Sequence, residues 1–329
     1  MTSSSQTSVF TPDLQSGKPP MLRVEAPMGG GGGDAARWAA EHRAALRALV
    51  TEHGSLLVRG LGLSDVAGIE AVFRQLGSLM LEREALAPRR RYAEGVYSST
   101  KWQPNQPMCP HHELSYAVAP PSLMLFACLV APTSGGATPL ADAPTVLDAL
   151  PAELVERFER TGWLLVRNYN DDIGSSFAEA FGTDDRGAVE RYCRANAIEF
   201  EWRERGGGAL RTWQRRPAVV RHPLTGRRCW FNQIAFLNEW TLAPEVREYF
   251  VDIYGEDGLP FNTCFGNGDP IGADAVQAIN EAYEANSVRE RWQAGDLLLV
   301  DNVRTAHGRE PFEGAREIVV AMADAMQRY

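Results

Sequence analysis

The stretch Pro110-His111-His112-Glu113-Leu114-Ser115-Tyr116 sets the strictest condition on how this chain can fold. In extended backbone, successive side chains leave on opposite faces, so His111 and Glu113 share one face and His112 takes the other. One imidazole and one carboxylate can then meet a single metal ion, but two donors hold a divalent ion poorly. Nothing nearby supplies a third. The best candidate is His307, far down the chain in Asp301-Asn302-Val303-Arg304-Thr305-Ala306-His307-Gly308-Arg309. The fold must therefore lay a strand near residue 111 beside one near residue 307. Two histidines and a carboxylate with open positions suit non-haem iron(II) that activates oxygen. Zinc accepts the same donors, which leaves a hydrolase open, as does a non-catalytic protein that holds a small acid.

The pattern along the chain agrees with strands that meet from its two ends. Residues 122–130 form the longest apolar run and read as a central strand. Further strands are expected at 55–58, 96–100 and 163–169, and a strand, turn and strand between 218 and 232. The chain finishes with strand signals at 296–300, 304–308 and 316–322. Helices are expected at 34–53, with Asp34 as cap and Gly54 as stop, and after Ser64, where Ile69, Val72, Phe73 and Leu76 fall on one face. Others are expected at 144–150, 151–161, 185–195, 244–254 and 274–286. These signals predict a mostly β protein with helices, built on an antiparallel double-sheet (jelly-roll) barrel with helices outside it. Residues 170–205, rich in charge and glycine, look like a lid-like insertion. Residues 1–33, which end in five glycines, read as a flexible tail before a single domain at 34–329.

Composition removes some partners. A net charge of −9 opposes a nucleic-acid or anionic membrane surface, which selects clustered Lys and Arg. The one basic segment, 215–228, reads as hairpin flanks, and Gly266-Asn267-Gly268-Asp269 as a tight turn rather than a metal loop. Five cysteines without CxxC spacing, no long uncharged apolar run and no hydrophobic leader point to a reducing, cytoplasmic setting.

Arg316 opens the last predicted strand, after the turn Pro311-Phe312-Glu313-Gly314; it can offer a carboxylate a bidentate fork or stand as an ordinary strand-end arginine in water. Here a family pattern emerges. His53-Gly54, Leu57-Val58-Arg59-Gly60, Pro88-Arg89, Val96-Tyr97-Ser98-Ser99-Thr100, the His111 stretch and Gly135-Gly136-Ala137-Thr138-Pro139 are followed in order by further elements. These are Trp230-Phe231-Asn232-Gln233, Trp292-Gln293-Ala294-Gly295-Asp296, Asp301-Asn302, His307-Gly308-Arg309 and Phe312-Glu313-Gly314-Ala315-Arg316. From about residue 35 onward the chain resembles the taurine dioxygenase-like iron(II)- and 2-oxoglutarate-dependent oxygenases. Within them it is most similar to the branch that holds the syringomycin-pathway aspartyl β-hydroxylase.

The resemblance implies iron held by His111, Glu113 and His307, with the distal carboxylate of 2-oxoglutarate on Arg316, helped by Thr138. It implies a reaction that consumes O2, releases succinate and carbon dioxide and oxidises a substrate C–H. The implied substrate is an amino acid, free or bound to a carrier protein, in a biosynthetic pathway. Asn232 and Arg309 are candidates to orient it, each with a structural alternative: a backbone partner for Asn232, and Glu310 or Glu317 for Arg309. The ligand carboxylate is Glu, as in the clavaminate synthase-like variant, rather than the commoner Asp. Related halogenases lack the carboxylate, so Glu113 predicts hydroxylation first, with desaturation, epoxidation or ring closure open to the same oxidant. Two positions depart from the family pattern: Lys101 stands where relatives often carry Glu, and His112 where they often carry Asn.

Overall fold

The run 123–128 is apolar at every position because both faces of its strand are buried. In a computed structural model describing residues 11–24, 32–82, 89–169, 174–203 and 210–326, the strand Pro121–Val130 lies between Leu297–Asp301 and Glu317–Ala325. Alternation splits its side chains: Leu123, Leu125 and Ala127 enter one hydrophobic cluster, and Met124, Phe126 and Cys128 enter another. Its neighbours divide in the same way, Leu297 and Leu299 against Leu298 and Val300, and Val319 and Ala321 against Ile318 and Val320.

The first cluster is roofed by the helices Gly32–His53 and Val66–Leu76. The anticipated face of the second helix, Ile69, Val72, Phe73 and Leu76, is fully buried. Its cap is not Ser64 but Asp65, whose carboxylate accepts from the Gly68 N–H at 2.8 Å. At that position the negative charge also meets the positive end of the helix.

The second cluster separates the large sheet from a four-stranded sheet ordered Ser287–Val288, Leu140–Asp142, Thr305–Arg309, Met108–His111. The large sheet runs Met21–Arg23, Ser55–Arg59, Leu297–Asp301, Pro121–Val130, Glu317–Ala325, Val96–Ser98, Arg91–Ala93, antiparallel except for its first pair. That first pair departs from the expectation of a flexible tail over 1–33. Met21 and Leu22 are buried, and Met21–Arg23 pairs in parallel with Ser55–Arg59. Two apolar side chains and an unpaired sheet edge suffice to dock this stretch. Residues 1–10 and 25–31, including Gly29 to Gly31, lie outside the described residues.

A third sheet, Glu199–Trp202, Leu210–Arg216, Trp163–Tyr169, Phe261–Phe265, carries the described part of the 170–205 segment, residues 174–203, at one edge, with helices Phe177–Phe181 and Arg186–Ala195 over a small core of their own. Leu210–Arg216 escapes a hydrophobicity reading because the positions it buries are largely polar: Thr212, Gln214 and Arg216. Buried Arg216 donates to the carbonyls of Tyr116 (2.7 Å) and Asn196 (2.9 Å), tying this sheet to the segment after Glu113. Among the described residues no helix is long and apolar enough to cross a membrane.

Gly308 shows how closely the small sheet is drawn together. A Cβ there would stand 2.6 Å from the Met108 carbonyl oxygen and 3.2 Å from the Pro110 nitrogen, both backbone atoms that cannot turn away. Gly308→Ala is expected to lower stability by about 2 kcal/mol through overpacking. Because it parts the strands that carry His111 and His307, it should also weaken metal binding. Denaturant unfolding and metal titration of the variant check both effects.

Candidate metal centre and its pocket

The strands Thr305–Arg309 and Met108–His111 run antiparallel with His307 opposite His111. Their rings stand 4.7 Å apart, between centroids, and the Glu113 carboxylate closes the triangle. Its Oε2 lies 3.7 Å from Nε2 of His307 and 4.0 Å from Nε2 of His111. Among the described residues, these three form the group whose ligand atoms all fall within 4.8 Å of one another, and all three are buried. His111 Nδ1–H donates to the Cys109 carbonyl at 2.9 Å, which fixes the tautomer and leaves Nε2 as a bare lone pair facing the other two. Phe236 stacks on the His111 ring at 4.2 Å, and Phe126 meets His307 edge-on.

Glu113 arrives differently from the expectation. The strand stops at His111, residues 113–116 form a turn, and Leu114 takes φ +50. What replaces strand geometry is Asn302. Its Oδ1 accepts from the Glu113 N–H at 2.8 Å, and its Nδ2 donates to the carbonyls of Glu113 (2.9 Å) and Pro121 (2.8 Å). His112 points away from the triad, and its Nδ1–H donates to the Asn302 carbonyl. Arg89 reaches the outer face of the carboxylate, with Nη2 3.0 Å from Oε1.

The electrostatics suit a cation. Burial, then the neighbouring His307, pushes His111 down to about 3, against the attraction of Glu113. Burial alone would raise Glu113, but Arg89 and the two histidines outweigh it and hold the carboxyl well below its usual range. Neutral imidazoles and an ionised carboxylate are the protonation states a divalent metal needs. Nδ1 of His307 has no partner among the described residues.

Two lobes of one cleft meet at the triad, sharing Arg89, Thr100, His111 and Glu113. The lobe beside His307 is lined by Thr138, Arg309 and Arg316. Arg316 is anchored by its Nε–H to the Gly136 carbonyl at 3.1 Å and pairs with no carboxylate among the described residues. Burial and then Arg309 lower it to about 10, so it stays charged at neutral pH. Thr138 Oγ1 accepts from Trp292 Nε1 at 3.2 Å, which leaves the hydroxyl hydrogen for a ligand. Arg309 pairs with neither Glu310 nor Glu317. It clamps the loop before the Met108–His111 strand, donating to the carbonyls of Trp102 (3.1 Å), Gln103 (2.6 Å) and Gln106 (2.8 Å). The Asn232 amide is engaged by backbone, donating to Ala218 and accepting from Ile234, and Asn232 lines neither lobe. Lys101 is exposed.

The other lobe has mainly apolar walls: Trp102, Leu114, Tyr116, Phe236, Leu237 and Phe261, with Gln233, Glu82 and Arg89. Periodicity gave no sign of Arg89, Glu82 or Asn302 as site residues. The signals present were the pairs Pro88-Arg89 and Asp301-Asn302 within the family pattern.

Residues 16–322 match the family described as taurine catabolism dioxygenase TauD, TfdA family. The dapdiamide synthesis protein DdaC of Enterobacter agglomerans is 34% identical over 281 residues, covering 84% of each chain. A clavaminate synthase-like protein of Arabidopsis thaliana is 28% identical over 288 residues, 84% of this chain and 83% of the relative. Among solved structures, PvcB of Pseudomonas aeruginosa superposes with a TM-score of 0.54 at 16% identity, over 94% of this chain and 88% of PvcB. At that identity the likeness is one of fold.

A buried His-x-Glu with a distant His, in a chain matched from near its start to near its end, defines the class: the chain belongs to the TauD/TfdA dioxygenase family. It is a 2-oxoglutarate-dependent dioxygenase, and its cofactors are iron(II), 2-oxoglutarate and O2.

The buried histidines carry a pH signature in the metal-free protein. Burial lowers His112 to about 4 and His111 to about 3, whereas both titrate near 6.5 when unfolded. The unfolded chain then binds more protons below pH 6.5, so stability is fully present above that pH and is lost as pH falls toward the folded values. At pH 5 each histidine should account for ~2 kcal/mol. Glu113, depressed from its ordinary value of 4.5, adds its own loss only as pH falls below that value. Denaturant unfolding at pH 7 and pH 5 should show the drop, and His112→Gln should remove roughly half of the part these two histidines supply.

Proposed function

We propose that His111, Glu113 and His307 hold the iron, and that Arg316 and Thr138 receive 2-oxoglutarate in the lobe beside His307. In the apolar lobe an amino-acid-like substrate, free or carrier-bound, is hydroxylated at an unactivated C–H. The observation that carries this reading is the charge inventory around the triad. Arg316 is a partly buried guanidinium without a carboxylate partner among the described residues, a short way from three donors poised for a metal. An uncompensated cation in such a place is costly unless an anion completes it.

Each residue has a defined task. Arg316, fixed through Nε, presents the remaining edge of its guanidinium to the distal carboxylate of the co-substrate, and the Thr138 hydroxyl donates alongside. Iron, when bound, supplies the redox chemistry by which 2-oxoglutarate and O2 become succinate, carbon dioxide and an oxidant. Phe236, packed on His111, and the aromatic wall of Trp102, Tyr116 and Phe261 exclude water and hold the substrate carbon near the metal. With iron bound, Glu113 would hold the position that a halide would need, which favours hydroxylation over halogenation. Phe261 joins the apolar lobe to the sheet that carries the 170–205 segment, and this supports a lid role for that segment. A biosynthetic, cytoplasmic setting is supported by the likeness to a dapdiamide synthesis protein and by five unpaired cysteines.

Anaerobic addition of iron(II) and 2-oxoglutarate is the direct test. A weak visible charge-transfer band is expected, absent in His307→Ala. In Arg316→Ala, half-maximal intensity should need about a hundredfold more 2-oxoglutarate, the consequence of removing one partner of a buried charge pair. Succinate release screened over free and carrier-loaded amino acids then identifies the substrate. A wild-type protein that binds iron without the band would overturn the reading.

A further inference from the structure

We propose that Arg89 is a positioning residue that keeps Glu113 a one-oxygen ligand, so that a bound metal keeps a position for O2 once 2-oxoglutarate is in place. The proposal rests on the reading of His111, Glu113 and His307 as the iron site. Its basis is how the two carboxylate oxygens are divided. Oε2 faces the two imidazole nitrogens at 3.7 and 4.0 Å, whereas Oε1 is turned outward and held by Arg89 Nη2 at 3.0 Å.

That division matters because the open coordination positions are few. Two imidazoles and one carboxylate oxygen leave half of an octahedral shell open. A 2-oxo acid that chelates through its keto and carboxylate oxygens takes two of those places. If Glu113 also bound through both oxygens, the shell would be full once the keto acid had entered, with no position for O2. A carboxylate free to rotate takes one or both oxygens to a metal, as it does on other hard cations. A charge-assisted bond to Oε1 opposes the second mode.

Arg89 is built to keep this hold after a metal has neutralised Glu113. Its Nε stands 3.2 Å from Glu82 Oε1 and donates to Thr100 Oγ1 at 3.1 Å, and its side chain is only 8% exposed. With Glu82 as a second counter-ion, the guanidinium is not left unpaired when the charge of Glu113 passes to the metal, and nothing drives it away. Glu113 cannot turn by moving its backbone either, since Asn302 ties both its N–H and its carbonyl.

Arg89→Gln and Arg89→Lys in the full-length protein separate this role from a merely structural one. Iron(II) affinity, 2-oxoglutarate affinity, the anaerobic charge-transfer band and its decay on admitting O2 are measured alongside the unfolding temperature. In Arg89→Gln, iron(II) should bind within a few-fold of wild type, because a second oxygen replaces what is lost, and 2-oxoglutarate should still bind in the two positions left. The band should shift, and its decay on admitting O2 should slow by about tenfold or more. Arg89→Lys, which keeps a cationic donor, should recover most of both. A wild-type decay with O2 and an unchanged band in Arg89→Gln would overturn the proposal. So would parallel loss of iron and 2-oxoglutarate in both variants with a lowered unfolding temperature, which is the mark of a structural prop. Absence of the band in the wild type would instead overturn the iron reading, and this proposal with it.

Discussion

The cross-strand pair His307 and His111 is the contact on which the site depends. Two short strands, far apart in sequence, place their imidazoles on one face of the small sheet. The large sheet and the aromatic layer between the sheets then remove those rings from water. Desolvation keeps His111 a neutral donor, and Gly308 lets the two strands approach closely. Had His307 slipped by one residue, its ring would face the other side of the sheet. Register is therefore the chemical variable, and the alternating rows of Pro121–Val130 and its two neighbours bear on it directly, since Phe126 packs edge-on against His307.

Three arginines stand around the triad, and they are not equivalent. Arg309 spends its donors on backbone carbonyls and so acts as a strut. Arg89 lies between two carboxylates. Arg316 alone of the three is bonded to one carbonyl and to no anion among the described residues. On the His307 side, Arg316 therefore offers the larger unmet demand, since only its Nε is engaged whereas both terminal nitrogens of Arg309 are. The charges of the other lobe are already paired and its walls are aromatic. The proposed partition of co-substrate and substrate thus rests on how each guanidinium is satisfied rather than on the shape of the cleft alone.

Much of this was legible in the sequence, for identifiable reasons. His111, Glu113 and His307 were found from donor chemistry, and the pairing of their strands followed from the need for a third donor. The buried helix face from Ile69 to Leu76 and the central strand followed from apolar spacing. Other features were hidden because they run against those signals. Leu210–Arg216 buries polar side chains, and Met21–Arg23 is three residues beside a glycine-rich stretch. Arg89 and Asn302 act through bonds to residues far away in sequence, which no local window contains. The choice of Asp65 over Ser64 turned on one residue of helix phase between two competent caps.

In the proposed iron site, the use of Glu rather than Asp as the carboxylate follows from the same geometry. The strand ends at His111, so Glu113 starts from a turn whose backbone is locked to Asn302 and cannot advance toward the metal. Neighbouring ligands on a metal with bonds of about 2.1 Å lie about 3 Å apart. From 3.7 and 4.0 Å, Oε2 needs only a small contraction of the triangle to reach that spacing. An Asp at the same backbone position would fall short by about one carbon–carbon bond, ~1.5 Å. Closing that gap would require breaking the Asn302 clamp or pulling the turn, with its left-handed Leu114, out of shape. The longer side chain is thus the counterpart of a strand that stops two residues early. It also gives the carboxylate the freedom of rotation that the guanidinium of Arg89 restrains.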